Sequence, residues 1–271
     1  MVLSDLGADV IRVDRADAGR MFAATDPSTD VLARGRRSIA VDLKHPDGVE
    51  LVLKLAERAD AMFEGMRPGV AERLGIGPDE AIGRNGRLVY GRMTGWGQDG
   101  PWASMAGHDI DYIALTGMLH AVGREGGPPV PPLNLVGDFG GGGMLLALGM
   151  LAALLRARET GEGQVVDAAM VDGASVLGSF VWGLAAGGGW TTKRGTNLLD
   201  TGAPFYDVYE TADGGHMAVG ALEPQFFAAL LERLDLPAEM ASTQWDRDAW
   251  PRLRQTLEAK FGSRSRDEWA A

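Results

Sequence analysis

Apolar and polar positions change period in short blocks along the first two-thirds of the chain. Val10-Ile11-Arg12-Val13 reads as a strand, and Ser38-Ile39-Ala40-Val41-Asp42-Leu43 as another. Asp47 can cap a helix that carries Val49, Val52, Leu53 and Leu55 at helical spacing. Ala61-Met62-Phe63 and Leu88-Val89-Tyr90 predict two further strands. Between them, Pro68 opens a helix holding Val70, Leu74 and Ile76. Strands alternating with helices predict an α/β fold, with a Rossmann-like large domain built on a parallel sheet.

Further on, Gly140 to Gly143 predict a loop running into the apolar stretch Met144 to Leu155. That stretch is hydrophobic on all sides, which predicts a buried helix. It ends at Arg156 and Arg158 and is too short to span a bilayer. Gly161-Glu162-Gly163 stops it, Gln164-Val165-Val166-Asp167 reads as a strand, and a Gly- and Ala-rich helix follows from about Gly173. The loop-like stretch 187–203 marks a domain boundary, giving a large domain over 1–190 and a smaller mixed α/β domain over 200–271. In the latter, Phe205-Tyr206-Asp207-Val208-Tyr209 and His216-Met217-Ala218-Val219 flank Asp213-Gly214-Gly215, a hairpin signal. Glu223-Pro224-Gln225 then opens an amphipathic helix through Phe226, Leu230 and Leu234. The chain opens on what resembles a helix end entering a strand and stops within the helical pattern Arg266–Ala271. A piece of a longer chain is therefore expected.

Composition narrows the chemistry. The 271 residues are 45% hydrophobic and 23% charged, as in ordinary globular proteins. The chain has no cysteine, which excludes disulfides, thiolate catalysis and Cys-ligated metals. This fits a reducing compartment, and the N-terminus lacks a signal-peptide layout, so a cytoplasmic protein without membrane contact is expected. A formal net charge of −11 argues against nucleic acid as a partner. Residues 1–44 differ, balancing seven basic residues (Arg12, Arg15, Arg20, Arg34, Arg36, Arg37, Lys44) against seven Asp. Such a segment can hold a small polyanion, although a solvated loop with surface ion pairs is the better explanation of the charge by itself.

Two glycine-flanked pieces carry proton-transfer groups: Gly107-His108-Asp109-Ile110-Asp111-Tyr112 and Asn134-Leu135-Val136-Gly137-Asp138-Phe139-Gly140. A base on each side of one carbon is what inverting a stereocentre requires. Taken alone, His108 also fits a packing or surface residue, Asp138 a helix N-cap, and Glu223 before Pro224 a plain helix start. The many backbone N–H groups of Gly137–Gly143 suit a developing oxyanion.

Several segments in order resemble the family III coenzyme A transferases, and within them the branch that racemises 2-methylacyl-CoA thioesters. They are Asp5-Leu6-Gly7-Ala8-Asp9-Val10-Ile11-Arg12-Val13-Asp14, Arg36-Arg37-Ser38-Ile39-Ala40-Val41-Asp42-Leu43-Lys44, Arg67-Pro68-Gly69-Val70-Ala71-Glu72-Arg73-Leu74-Gly75, Thr94-Gly95-Trp96-Gly97-Gln98-Asp99-Gly100-Pro101 and Gly163-Gln164-Val165-Val166-Asp167-Ala168-Ala169-Met170. The resemblance implies a racemase working by proton transfer through an enolate. His108 and Asp138 would serve the two faces of the α-carbon, and Glu223 would pair with the histidine and fix its tautomer. Asp138 would hold a proton for part of the cycle, which burial favours.

Coenzyme A would enter as part of the substrate, with no separate cofactor and no metal. Arg15, Lys44, Arg67 and Arg73 would meet its nucleotide end, where Arg suits phosphate. The backbone of Val41-Asp42-Leu43 and Gly65-Met66 would line the adenine slot. Gly107, Asp109, Ile110, Asp111 and Tyr112 would flank the thioester together with Asn134, Gly137, Phe139, Gly140, Gly141 and Gly142. Tyr112, Met105, Met118 and Met144 suit a fatty-acyl surface or ordinary core packing. His45, His120 and His216 match no catalytic position. Relatives form interlocked homodimers, and full-length relatives have an opening strand and helix and a C-terminal return that this chain lacks.

Two other readings stand beside this one. A true CoA transferase would use Asp138 as a nucleophile, forming an anhydride and then an aspartyl-CoA thioester, without needing His108 or Glu223. A truncated, inactive chain is the other. A nicotinamide dehydrogenase is disfavoured because the glycines do not follow the first strand in the dinucleotide-binding layout.

Overall fold

A computed structural model describes residues 1–15 and 29–271. Arg20 of the Arg-rich opening lies outside the described residues. The elements run α1 (Val2–Asp5), β1 (Val10–Asp14), β2 (Arg36–Ala40), α2 (Pro46–Ala56), β3 (Ala61–Glu64), α3 (Val70–Arg73), α4 (Pro78–Arg84), β4 (Val89–Thr94), α5 (Asp109–Leu115) and α6 (Met118–Ala121). A π-helical segment, Leu135–Met144, leads directly into α7 (Leu145–Thr160). Then follow β5 (Gln164–Ala169), α8 (Met170–Ala186), β6 (Tyr206–Glu210), β7 (His216–Gly220), α9 (Pro224–Arg233), α10 (Trp250–Phe261) and α11 (Arg266–Ala270). The fold is α/β with parallel sheets, as the alternating pattern predicts.

The chain forms two compact units, residues 1–115 with 134–177 and residues 116–133 with 178–271. The division falls inside α8, not in the loop at 187–203. A continuous helix masks it, because helical periodicity does not record which unit covers a residue.

In the first unit β3, β4 and β5 form a parallel sheet in that order, and β1 pairs in parallel with β2. The central strand β4 is buried on both faces. Val89 packs against Leu146, Met150 and Ala153 of α7, while Leu88 and Tyr90 pack against Leu53 and Ala56 of α2 and Ala81 of α4. This alternation makes a three-layer sandwich. The Tyr90 hydroxyl is satisfied by the Ile76 carbonyl at 2.9 Å.

Several elements differ from the sequence pattern for identifiable reasons. Strand β2 ends at Ala40, because the Asp42 carboxylate accepts the Lys44 N–H at 2.9 Å and turns the chain. The cap of α2 is His45, whose Nδ1 accepts the Asp47 N–H at 3.2 Å, with Pro46 opening the helix. After Pro68 the helix is a single turn, halted by Gly75 at φ +75°. The predicted glycine loop is helical: Leu135–Met144 coils as a π-helix and is continuous with α7. By length and composition the joined run Leu135–Thr160 is apolar enough to cross a membrane, contrary to the estimate from Met144–Leu155 alone. In this fold its α7 part packs on the sheet through Leu146, Met150, Ala153 and Ala157. The opposite face, with Leu148, Leu151 and Leu155, is exposed, so α7 is not buried all round.

The second unit has its own core of Phe205, Tyr209, Phe227, Leu231, Trp250, Leu257 and Phe261. Strands β6 and β7 form the expected antiparallel hairpin. Helix α9 turns Phe227, Leu231 and Leu234 inward, and Phe226 is exposed. Buried Gln244 ties this core together. Its Nε2 donates to the carbonyls of Ala221 and Leu222, and its own carbonyl accepts the Trp250 indole N–H at 2.8 Å.

Candidate active site

His108 immediately precedes α5. Its carbonyl accepts the N–H groups of Asp111 (2.9 Å) and Tyr112 (3.3 Å), and its own N–H donates to the Asp111 carboxylate at 2.9 Å. The backbone is thus fixed on both sides, while the imidazole is exposed and has no hydrogen-bond partner among the described residues. Tyr112 lies one turn on, at i+4, on the same helix face. It is buried, and its ring stands edge-on to Trp96 at 4.7 Å. Its hydroxyl is pushed above the usual phenol range by burial first, then by the negative charges of Asp138 and Asp111. The Asp138 charge is therefore felt at the Tyr112 hydroxyl.

Asp138 sits in the first turn of the π-helical segment, half-buried, and Asn134 Nδ2 donates to its Oδ2 at 3.3 Å. The two candidate bases are linked through the backbone. Asp109, next to His108, accepts the N–H groups of Gly137 (2.6 Å) and Asp138 (2.8 Å) on its Oδ2. This alters one expectation: the Gly137 and Asp138 amides serve Asp109 and are not free donors for an enolate oxygen. Phe139 N–H likewise goes to the Asn134 carbonyl at 3.2 Å.

Arg15, Lys44, Arg67 and Arg73 are all exposed and form no side-chain ion pair with another described residue. In contrast, Arg12, Arg34, Arg37 and Arg84 are committed to Asp14, Asp5, Asp9 and Glu50 with Glu57. The four cations assigned by resemblance are thus among those left available, as are Arg58 and Arg87. Val41 is buried while Asp42 and Gly65 are exposed, and Met66 is partly so. Glu223 belongs to the second unit, where it is exposed at the start of α9 and makes no capping bond. Met105 and Met144 are largely exposed, Met118 packs beside Gly178 in the second unit, and Tyr112 is core. His120 bonds through Nε2 to the Thr192 carbonyl at 2.8 Å, a structural role.

Sequence reasoning missed a buried charge network beneath the Gly65-Met66-Arg67 turn. At the end of β3, Glu64 takes Arg92 Nε on Oε1 at 3.0 Å and the Met66 N–H on Oε2 at 2.5 Å. Arg92 also reaches Glu72 at 2.7 Å. Burial opposes the Arg92 charge, but hydrogen bonds to Glu72 and Glu64 outweigh it and raise its pKa. A strand-terminal Glu just before Gly-Met-Arg-Pro-Gly was the available signal. A cavity of about 440 Å³ opens in the second unit around Arg124, Asp207, Arg254 and Glu258. None of the candidate residues lines it, and both arginines are paired with Asp207.

The sequence profile of CoA-transferase family III matches residues 1–271. The chain belongs to CoA-transferase family III. Its relatives include the α-methylacyl-CoA racemase of Mus musculus, 45% identical over 270 residues (99% of this chain, 68% of the relative). The α-methylacyl-CoA racemase of Homo sapiens is likewise 45% identical, over 269 residues (99% and 69%). Among solved structures, Rv3272 from Mycobacterium tuberculosis superposes with a TM-score of 0.78 at 32% identity, covering 99% of this chain and 74% of that one. The family III fold accounts for both the ordered motifs and the parallel sheets.

Proposed function

We propose that this protein is a racemase of 2-methylacyl-CoA thioesters. Two racemases at 45% identity over 99% of the chain support this reading. The observation that carries it is the junction of the two candidate bases: the residue next to His108 holds the Asp138 amide at 2.8 Å. In this scheme the nucleotide end of coenzyme A lies against Arg15, Lys44, Arg67 and Arg73, which form no ion pair among the described residues. Neutral His108 removes the α-proton of one enantiomer and leaves an enolate. Protonated Asp138 delivers a proton to the opposite face, and the roles reverse for the other enantiomer. A positioned acid–base pair contributes about 10²–10⁴ in rate, and stabilisation of the enolate oxygen contributes more.

The same reading makes the protein a cytoplasmic homodimer. The exposed apolar face of α7 and the absence of cysteine support these two points.

Incubation of either enantiomer of a 2-methylacyl-CoA in heavy water tests the activity. Deuterium at the α-carbon with inversion, and no acceptor acid present, is the expected result. His108→Ala or Asp138→Asn should lower inversion by about 10²–10⁴. Turnover that strictly requires an acceptor acid would instead identify a transferase with Asp138 as nucleophile.

A further inference from the structure

Asp109 is a buried carboxylate, 5% exposed, inside the candidate site. Buried carboxylates are costly unless hydrogen-bonded, and this one is only half satisfied. Oδ2 takes the two amides of Gly137 and Asp138, while Oδ1 is buried without a partner among the described residues. The approach is so close that a Cβ at Gly137 would lie 2.7 Å from Oδ2, so any side chain at position 137 would push the Asp109 carboxylate aside. A π-helix leaves the amides of its first turn without intrahelical acceptors. Here the first turn of Leu135–Met144 contains Asp138, and Asp109 supplies the missing acceptor from outside. Asp109 itself follows His108 and lies in the first turn of α5, whose entry is pinned by the Asp111 carboxylate. One side chain therefore ties the backbone of one base to the backbone of the other.

We propose that Asp109 is a positioning residue that sets the separation and aim of Asp138 relative to His108. Its carboxylate faces the π-helical segment, so it acts on the substrate only through the two bases. The inference rests on the racemase reading above. Its consequence is asymmetric. Helix α5 keeps its own cap through Asp111 when Asp109 is lost, so His108 stays in place, whereas the start of the π-helical segment loses both charge-assisted bonds. A displacement of about 1 Å at a reacting group costs about 10²-fold in rate.

The test is solvent-deuterium exchange at the α-carbon, measured separately from each enantiomer. Asp138→Asn first identifies the enantiomer whose exchange depends on that carboxyl. Asp109→Ala should then slow exchange from that enantiomer about 100-fold and from the other less than tenfold. A general loss of structure would lower both by the same factor. Equal effects on the two enantiomers, or wild-type rates from both, overturn the proposal. Should Asp109→Ala fail to fold, Asp109→Asn keeps a neutral, weaker acceptor. It should slow the Asp138-dependent enantiomer at least threefold more than the other, and an unchanged ratio overturns the proposal. Absence of exchange in the unsubstituted protein would instead remove the racemase reading itself, and this inference with it.

Discussion

Glu64 shows how one side chain can serve both the fold and the site. It ends β3, pairs with Arg92 across the register to β4, and pins the Met66 amide in the turn assigned to the adenine slot. Removing one member of a buried pair leaves the other charge uncompensated, at about 3–5 kcal/mol. Arg92 keeps Glu72, so the lower end applies, and Glu64→Ala should cost about 3 kcal/mol. Urea denaturation checks this as a lower midpoint at unchanged slope, and CoA affinity should fall because the turn is no longer held. The sequence displays such residues only in part. His108 and Asp138 stand out because glycines flank chemistry-bearing side chains. The carboxylates of Glu64 and Asp109 act on backbone amides, and nothing in their residue type distinguishes an amide clamp from a solvated acid. Lys44, Arg67 and Arg73 were legible by resemblance, and their lack of ion pairs among the described residues is information that only coordinates supply.

The elements were legible wherever periodicity alone determined them: the strands β1, β3 and β5 and the β6–β7 hairpin follow their apolar patterns closely, while β4 runs on to Thr94, past the expected Leu88-Val89-Tyr90. The π-helical segment did not, because four consecutive glycines read as a loop by propensity. Tertiary contact overrides that propensity. The backbone of Gly141 packs on that of Gly173 and Ala174 at the start of α8, an approach that side chains would block. A Cβ at Gly173 would lie 1.9 Å from the Gly141 carbonyl oxygen, and both partners are backbone, so little can yield. Gly173→Ala should therefore destabilise the protein by about 1–3 kcal/mol and disturb the segment carrying Asp138. Gly183 on the same helix has nothing within 4 Å of its would-be Cβ. Gly183→Ala should stabilise by about 0.5–1 kcal/mol, since alanine is the better helix former. Thermal melts of the two variants should thus move in opposite directions from the unsubstituted protein. A drop for both would place the strain in the helix as a whole, and no change at Gly173 would refute the close packing.

For the whole molecule, the unanswered question is what meets the outer face of α7. Leu148, Leu151 and Leu155 recur at i, i+3 and i+7, so they line one side, and Leu148 and Leu155 are each 64% exposed. Val165 on β5 and Val176 and Leu177 on α8 add further exposed apolar side chains in the same unit. Full burial of one leucine contributes about 1.5–3 kcal/mol, so covering such a face is a substantial driving force for association. A chain of net charge −11 repels its own copies at long range, which makes a non-specific cluster a poor explanation and a defined short-range contact a better one. The proposed homodimer predicts a sedimenting mass twice that of the chain. Leu148→Glu with Leu155→Glu places two carboxylates per copy in the contact, four in the pair, and should convert the protein to monomers with an unchanged circular dichroism spectrum. Sedimentation equilibrium decides it: monomers before substitution, or dimers that survive it, would assign that face of α7 some other cover.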